Sequence, residues 1–126
     1  MGPFSLGKKE RLSKEIWIKQ LFEEGSSFYF HPFKVLYLPH PDPGSTVNEV
    51  LFSVPKRQFK RAVDRNAIKR RLREAYRLNK TGLTLSPRKW LIAYIYTAKT
   101  ILPSETFQQK VLGTIQKISS LKNEEG

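Results

Sequence analysis

The spacing of apolar and polar positions divides this 126-residue chain into six or seven elements. In the stretch Arg11–Gly25, Ile18, Leu21 and Phe22 recur three and four residues apart, which predicts one face of a helix. Ser13 can serve as its N-cap, Glu15 suits the first turn, and Gly25 is a good terminator. From Phe33 the period shortens to two. Phe33, Val35 and Tyr37 alternate with Lys34, Leu36 and Leu38, which predicts a strand. Phe28–Phe30 reads as a separate short strand, because Pro32 breaks the run. His40–Thr46 is rich in turn formers. A second clear strand starts near Asn48 and is stopped by Pro55.

Residues 56–61 form a basic connection to a long helix that runs from Ala62 to about Lys80. Thr81–Pro87 reads as a loop. Lys89–Tyr96 is almost entirely apolar after its first residue, the pattern of a strand buried on both faces. Pro103 and Ser104 open a last helix, with Phe107, Val111, Leu112, Ile115 and Ile118 as its apolar stripe. Residues 1–10 and 122–126 read as loose ends. The order α-β-β-(β)-α-β-α, the bracketed strand being the short one, predicts a single α+β domain built as a two-layer α/β sandwich.

The long helix carries an unusual second pattern. With Arg65 at zero and about 100° per residue, Lys69, Arg73 and Arg77 follow at i+4 steps, and Asn66 and Arg70 fall in the same sector. Ile68, Leu72 and Ala75 occupy a neighbouring arc, which docks the helix on a sheet and turns the cations outward. Like charges at i+4 cost a helix about 0.2–0.5 kcal/mol per pair, so a helix selected for stability alone would alternate signs. A solvated face therefore fits poorly, and an interaction surface fits well. Arginine outnumbers lysine here, and its planar fork suits phosphate oxygens and stacks on bases.

Composition sharpens this. The formal charge is +12 and the isoelectric point about 10.1, which point to a polyanionic partner. Between Lys56 and Lys80 eleven basic residues face two acids, so 25 residues hold +9 and the other 101 hold only +3. The field is local, as a binding face requires. There is no cysteine, which excludes disulfides, zinc thiolates and thiol nucleophiles. No stretch approaches a membrane span, the N-terminus lacks the apolar core of a signal peptide, and Leu6 stands where a myristoylation motif wants Ser or Thr. A cytoplasmic protein is expected.

At Lys60–Arg77, "KRAVDRNAIKRRLREAYR", the chain closely resembles the signature of the protein subunit of bacterial ribonuclease P. The family pattern runs basic, x, Ala-Val, x, Arg-Asn-Arg, x, x, Lys-Arg, x, x, Arg-Glu. "RLSKEIWIKQLFEEG" looks like the family's opening helix, and "FSVPKR" like its second conserved strand with the basic turn after it. The chain departs from the pattern at Ala67, where the family has its second arginine, and at Ile18, where the family often has an aromatic.

The resemblance implies a ribosomal-protein-like α/β sandwich with a left-handed β-α-β crossover. It implies a partner, a large catalytic RNA that removes the 5′ leader from precursor tRNA, with the RNA and its magnesium ions doing the chemistry. The protein would bind no cofactor of its own and would act as a monomer, one per RNA. Lys60, Arg61, Arg65, Asn66, Lys69, Arg70, Arg73 and Arg77 would lie against that RNA. A cleft between the first helix and the sheet would hold the single-stranded leader, lined by Ile18, Phe22, Phe33 and Tyr37, with Lys56 and Arg57 near its edge. Aromatics beside a positive groove suit single strands. Core packing stands as the alternative for Phe22, Phe33 and Tyr37, and Trp90, Tyr94 and Tyr96 are assigned to packing.

Autonomous catalysis finds little support. His31 and His40 lie in a proline-rich region without metal-ligand spacing and read as surface residues. Asp64 and Glu74 lie off the basic stripe and form no carboxylate pair for two metals; Asp64 suits the helix N-terminus. Three other classes share some of these features: a ribosome-associated or structural RNA-binding protein, a helix-turn-helix DNA binder, and a protein-only nuclease. The second needs a short helix beside the recognition helix. The third needs clustered acids.

Overall fold

A computed structural model describes the backbone of residues 7–125 and the side chains of residues 7–121. A 3-10 turn at Lys8–Glu10 precedes helix α1, Glu15–Glu24. Strands β1 (Ser26–Phe30), β2 (Phe33–Pro39) and β3 (Glu49–Ser53) follow, then the long helix α2, Ala62–Asn79. A short helix α3 (Thr81–Thr84), strand β4 (Trp90–Tyr96) and helix α4 (Ser104–Glu125) complete the order. Among the described residues no helix is long and apolar enough to cross a membrane.

The four strands lie in the order β1-β2-β4-β3. β1 pairs with β2, and β2 with β4, in antiparallel fashion, whereas β3 and β4 are parallel and α2 lies in the connection between them. β4 is thus central, which explains its continuous apolar run: Trp90, Ile92, Tyr94 and Tyr96 serve one face, Leu91 and Ala93 the other. On the first face α2 contributes Ile68, Leu72, Ala75 and Tyr76, and α4 contributes Phe107, Val111, Ile115 and Ile118. The second face receives α1 through Leu21, with Trp17 and Ile18 partly buried beside it. The mixed α+β fold is as expected, with α1 an added partial cover behind the sheet.

Several local expectations change. Helix α1 begins at Glu15 with Lys14 in the cap position and no side-chain cap, so Ser13 is not the N-cap. The Leu12 N–H instead donates to the Val50 carbonyl at 3.0 Å, drawing Arg11–Ser13 along the edge of β3. Thr81–Thr84 is helical, not loop, because Leu83 is pulled fully into the core. In α4, Leu112 points out, and Thr114 takes its place inside. Thr114 Oγ1 donates to the Val111 carbonyl at 2.7 Å, so it accepts from the Tyr94 hydroxyl at 2.6 Å. Of the ends expected to be loose, residues 1–6 lie outside the described residues, and the backbone of α4 continues to Glu125.

Two glycines are required by close approach. A Cβ on Gly25 would sit 2.4 Å from the Leu21 carbonyl oxygen, where α1 turns directly into β1. A Cβ on Gly113 would sit 2.7 Å from Cζ of the Phe30 ring, whose tip reaches α4 there. Burial pushes the hydroxyls of Tyr76 and Tyr94, and more mildly that of Tyr96, above the ordinary tyrosine range.

Candidate nucleic-acid interface

The basic region starts at a turn between two apolar anchors. Val54 and Phe59 are both buried, and the Phe59 ring packs on Tyr96. The backbone between them closes on the Pro55 carbonyl and leaves Lys56 and Arg57 exposed. Arg65 locks the far side of this turn. Its Nη1 donates to the carbonyls of Phe59 at 2.7 Å and Lys60 at 2.8 Å. Arg65 was expected among the outward cations. It is half-buried, and its nearer role is to shape the loop that presents Lys60 and Arg61, both exposed.

Along α2, Asn66, Arg70 and Arg73 are exposed and Lys69 is half-buried. They straddle the helix crest. Lys69 and Arg73 border a groove of about 270 Å³ towards Arg11, Ser13 and Leu51, while Arg70 borders another towards Ser104 and Gln108 of α4. The stripe is shorter than the helical wheel implies. Arg77 pairs with Glu74, and its Nε donates to the Glu74 carboxylate at 3.3 Å, because residues three apart meet across a helical turn. Asp64 sits in the first turn, 3.8 Å from the Arg61 guanidinium. Arg71 lies outside the stripe, donating to the Leu102 carbonyl. Lys80 is buried against Glu10. The cations left facing outward are Lys56, Arg57, Lys60, Arg61, Arg70 and Arg73, with Lys69 on the flank.

The reverse face of the sheet holds the second candidate surface, and strand parity corrects the expected lining. Phe33 is 0 % exposed and packs on Tyr94, Tyr96 and Phe107 beneath α4. Tyr37 shares that face, against Trp90 and Phe28. Neither can line a cleft under α1. The residues that do face that side are their neighbours. Leu36 is buried beneath α1, as are Leu91 and Ala93. Beyond them the face is uncovered, and one row crosses all four strands: Tyr29, Lys34, Ile95 and Ser53, each in direct register with the next. At the usual strand separation the row is about 14 Å wide. Tyr29 is 61 % exposed, and its hydroxyl is held by His31 Nδ1 at 3.0 Å and Thr97 Oγ1 at 3.2 Å. On α1, Ile18 is half-buried against the sheet and Phe22 is 46 % exposed, available rather than core.

His40 is also misplaced by the sequence reading. Its side chain is only 2 % exposed, with Nε2 2.7 Å from Glu49 and the ring 4.7 Å from Trp17, edge-on. The Asp42 N–H donates to Nδ1 at 3.1 Å, so Nε2 carries the proton given to Glu49. It pins the β2–β3 loop to α1. His31 is exposed, as expected. Among the described residues no group of three or more His, Asp or Glu could hold a metal ion.

Comparison with known proteins bears on these surfaces. The family model described as Ribonuclease P matches residues 6–119. The chain is similar to the ribonuclease P protein component of Porphyromonas gingivalis, 44 % identical over 77 residues, covering 61 % of this chain and 56 % of that protein. The matched segment thus spans little more than half the length of that relative. The component from Petrotoga mobilis is 37 % identical over 90 residues, covering 67 % of this chain and 73 % of that one. Among solved structures, the RNase P protein of Thermotoga maritima superposes with a TM-score of 0.71 at 26 % identity, covering 86 % and 96 % of the two chains. A Staphylococcus aureus RNase P protein mutant with defective mRNA degradation activity gives 0.72 at 23 % identity over 90 % of each, a likeness of fold.

Proposed function

The chain belongs to the ribonuclease P protein family, and we propose that it is the RNA-binding subunit of a ribonuclease P holoenzyme that removes the 5′ leader of precursor tRNA in the cytoplasm. The observation that carries this is the outward set of cations on the turn before α2 and along its crest. Lys56, Arg57, Lys60, Arg61, Arg70 and Arg73 are exposed on one continuous segment anchored by a packed apolar stripe. Exposed arginines on a rigid helix suit phosphates held in a fixed array. Asn66 lies among them and can donate and accept. Arg65 acts through the loop it clamps, and Arg77, paired with Glu74, contributes less than an unpaired arginine would.

The leader would lie along the open half of the reverse face. Tyr29 offers a stacking face, Lys34 a cation, Ile95 an apolar floor and Ser53 a hydroxyl, with Phe22 and Ile18 of α1 alongside. This combination fits a flexible single strand better than a duplex, because stacking needs unpaired bases. The chain's own residues offer binding and orientation. The hydrolysis belongs to the RNA partner and its Mg²⁺ ions, with one protein monomer per RNA.

Reconstitution tests this. The protein is mixed with a bacterial ribonuclease P RNA at low magnesium, and cleavage of a precursor tRNA is followed beside protein-only and RNA-only controls. Stimulated cleavage at the mature 5′ end with both components is the expected result. Cleavage by protein alone would make the chain a nuclease. Tight RNA binding without stimulation would assign it to structural RNA binding.

A further inference from the structure

The 3-10 turn Lys8–Glu10 is fastened from within. The Glu10 carboxylate accepts from Lys80 Nζ through both oxygens at 2.8 Å and from the Gly7 N–H at 2.8 Å. Lys80 is only 5 % exposed and caps the C-terminal end of α2. A buried ion pair between residues seventy apart contributes little net stability, since desolvation offsets most of the attraction. Its clear effect is geometric: it fixes the turn against the end of the basic helix.

The fastened turn carries Lys8 and Lys9 on its exposed side, and Arg11 follows in a bridge to Val50 at the edge of β3. Between the turn and the β2–β3 loop lies a basin of about 380 Å³, lined by these three cations and the hydroxyls of Ser13, Ser45 and Thr46. Its one carboxylate, Glu49, is engaged by His40. Among the described residues none of the three cationic side chains is held in an ion pair. Arg11 and Ser13 also line the groove bordered by Lys69 and Arg73. The two concavities therefore join into one track, from the flank of α2 past Arg11 to Lys8 and Lys9. Phe52 lines the groove beside α2, but the basin itself offers cations and hydroxyl-bearing side chains without an aromatic, which suits a sugar–phosphate backbone rather than bases.

We propose that this track is a second limb of the RNA-binding surface. The strand whose phosphates meet Lys69 and Arg73 continues past Arg11 into the basin, where Lys8 and Lys9 neutralise two further phosphates. Glu10 and Lys80 are positioning residues for that limb. The proposal rests on the RNA-binding function proposed above.

The test measures affinity of the full chain for a bacterial ribonuclease P RNA across a salt series. A Lys8→Ala/Lys9→Ala double variant is expected to flatten the log–log salt slope by about 1.4–1.8, two phosphates' worth, with an unchanged melting curve. Lys8→Arg/Lys9→Arg should keep the slope. Glu10→Gln should flatten it too, and the double variant added to Glu10→Gln should flatten it little further, which a purely structural role of Glu10 would not produce. Arg70→Ala is the reference for the stripe on α2, with an expected loss of about 0.7–0.9. If Arg70→Ala flattens the slope and the lysine double variant does not, the second limb is overturned while the RNA-binding function stands. If neither changes the slope, both fail.

Discussion

The two faces of the sheet are built from the same strands and do opposite things. Towards α2 and α4 the face is closed: Phe33, Tyr94, Tyr96 and Phe107 form a dense aromatic cluster with no exposure. Towards α1 the face is half closed, and the open half ends in the row Tyr29, Lys34, Ile95 and Ser53. Aromatic content does not distinguish a core from a binding surface. What distinguishes them is strand parity together with how much of each face a helix covers, since one residue's shift moves a side chain from one side to the other.

The comparison breaks most sharply at Phe33. Phe33→Ala should cost about 3–5 kcal/mol of unfolding free energy in a urea titration, as a fully buried aromatic leaves a cavity. A stable Phe33→Ala variant with weakened leader binding would reverse the assignment of the faces. The closed face should also announce itself at high pH. Tyr76 and Tyr94 resist ionisation because they are buried, whereas in the unfolded chain they ionise near the ordinary value of about 10. Their contribution is therefore intact below pH 10 and is lost as pH rises above it. With both engaged the loss approaches about 2.7 kcal/mol per pH unit, and Tyr76→Phe should halve it, read from denaturation midpoints between pH 10 and 12. Gly113→Ala comes next, at about 1–3 kcal/mol, because its methyl must displace the Phe30 ring. The smallest effect belongs to the open face. Tyr29→Ala should change stability by no more than about 0.5 kcal/mol. It should nevertheless weaken leader-bearing precursor tRNA by about fivefold or more, with mature tRNA unaffected. Equal loss for both RNAs would mark Tyr29 as a packing residue.

The elements were legible because period and breakers set them: the strand at Phe33–Leu38, the continuous run of β4 and the apolar stripe of α2 all appear where the pattern placed them. The face of β2 was not legible. Val35 and Leu36 are both buried, so alternation marks a strand without saying which side meets which helix. Lys34 shares its face with Leu36, yet it lies on the part that α1 leaves open. The wheel of α2 put Arg70 and Arg73 outward, where they are, yet it could not see that Arg65 has two carbonyls within reach from the preceding turn or that Arg77 meets Glu74. His40 looked exposed among prolines because its partners, Trp17 and Glu49, come from other elements. For Lys80 a signal existed in neither composition nor spacing, since Glu10 is seventy residues away.

The insertion of β4 between β2 and β3 has a consequence for how the chain comes to be folded during synthesis. β1 and β2 are neighbours in sequence and in space, so that hairpin closes early and locally. β2 and β3 then follow one another along the chain without touching; each awaits the same central partner, which emerges only after α2 and α3. Until Trp90–Tyr96 leave the ribosome, two largely apolar strands have open edges and the basic helix has no sheet beneath its apolar stripe. The nascent protein therefore exposes its stickiest surfaces together with its densest positive charge, beside the most abundant RNA in the cell, for as long as it takes to synthesise the 17 residues from Lys80 to Tyr96.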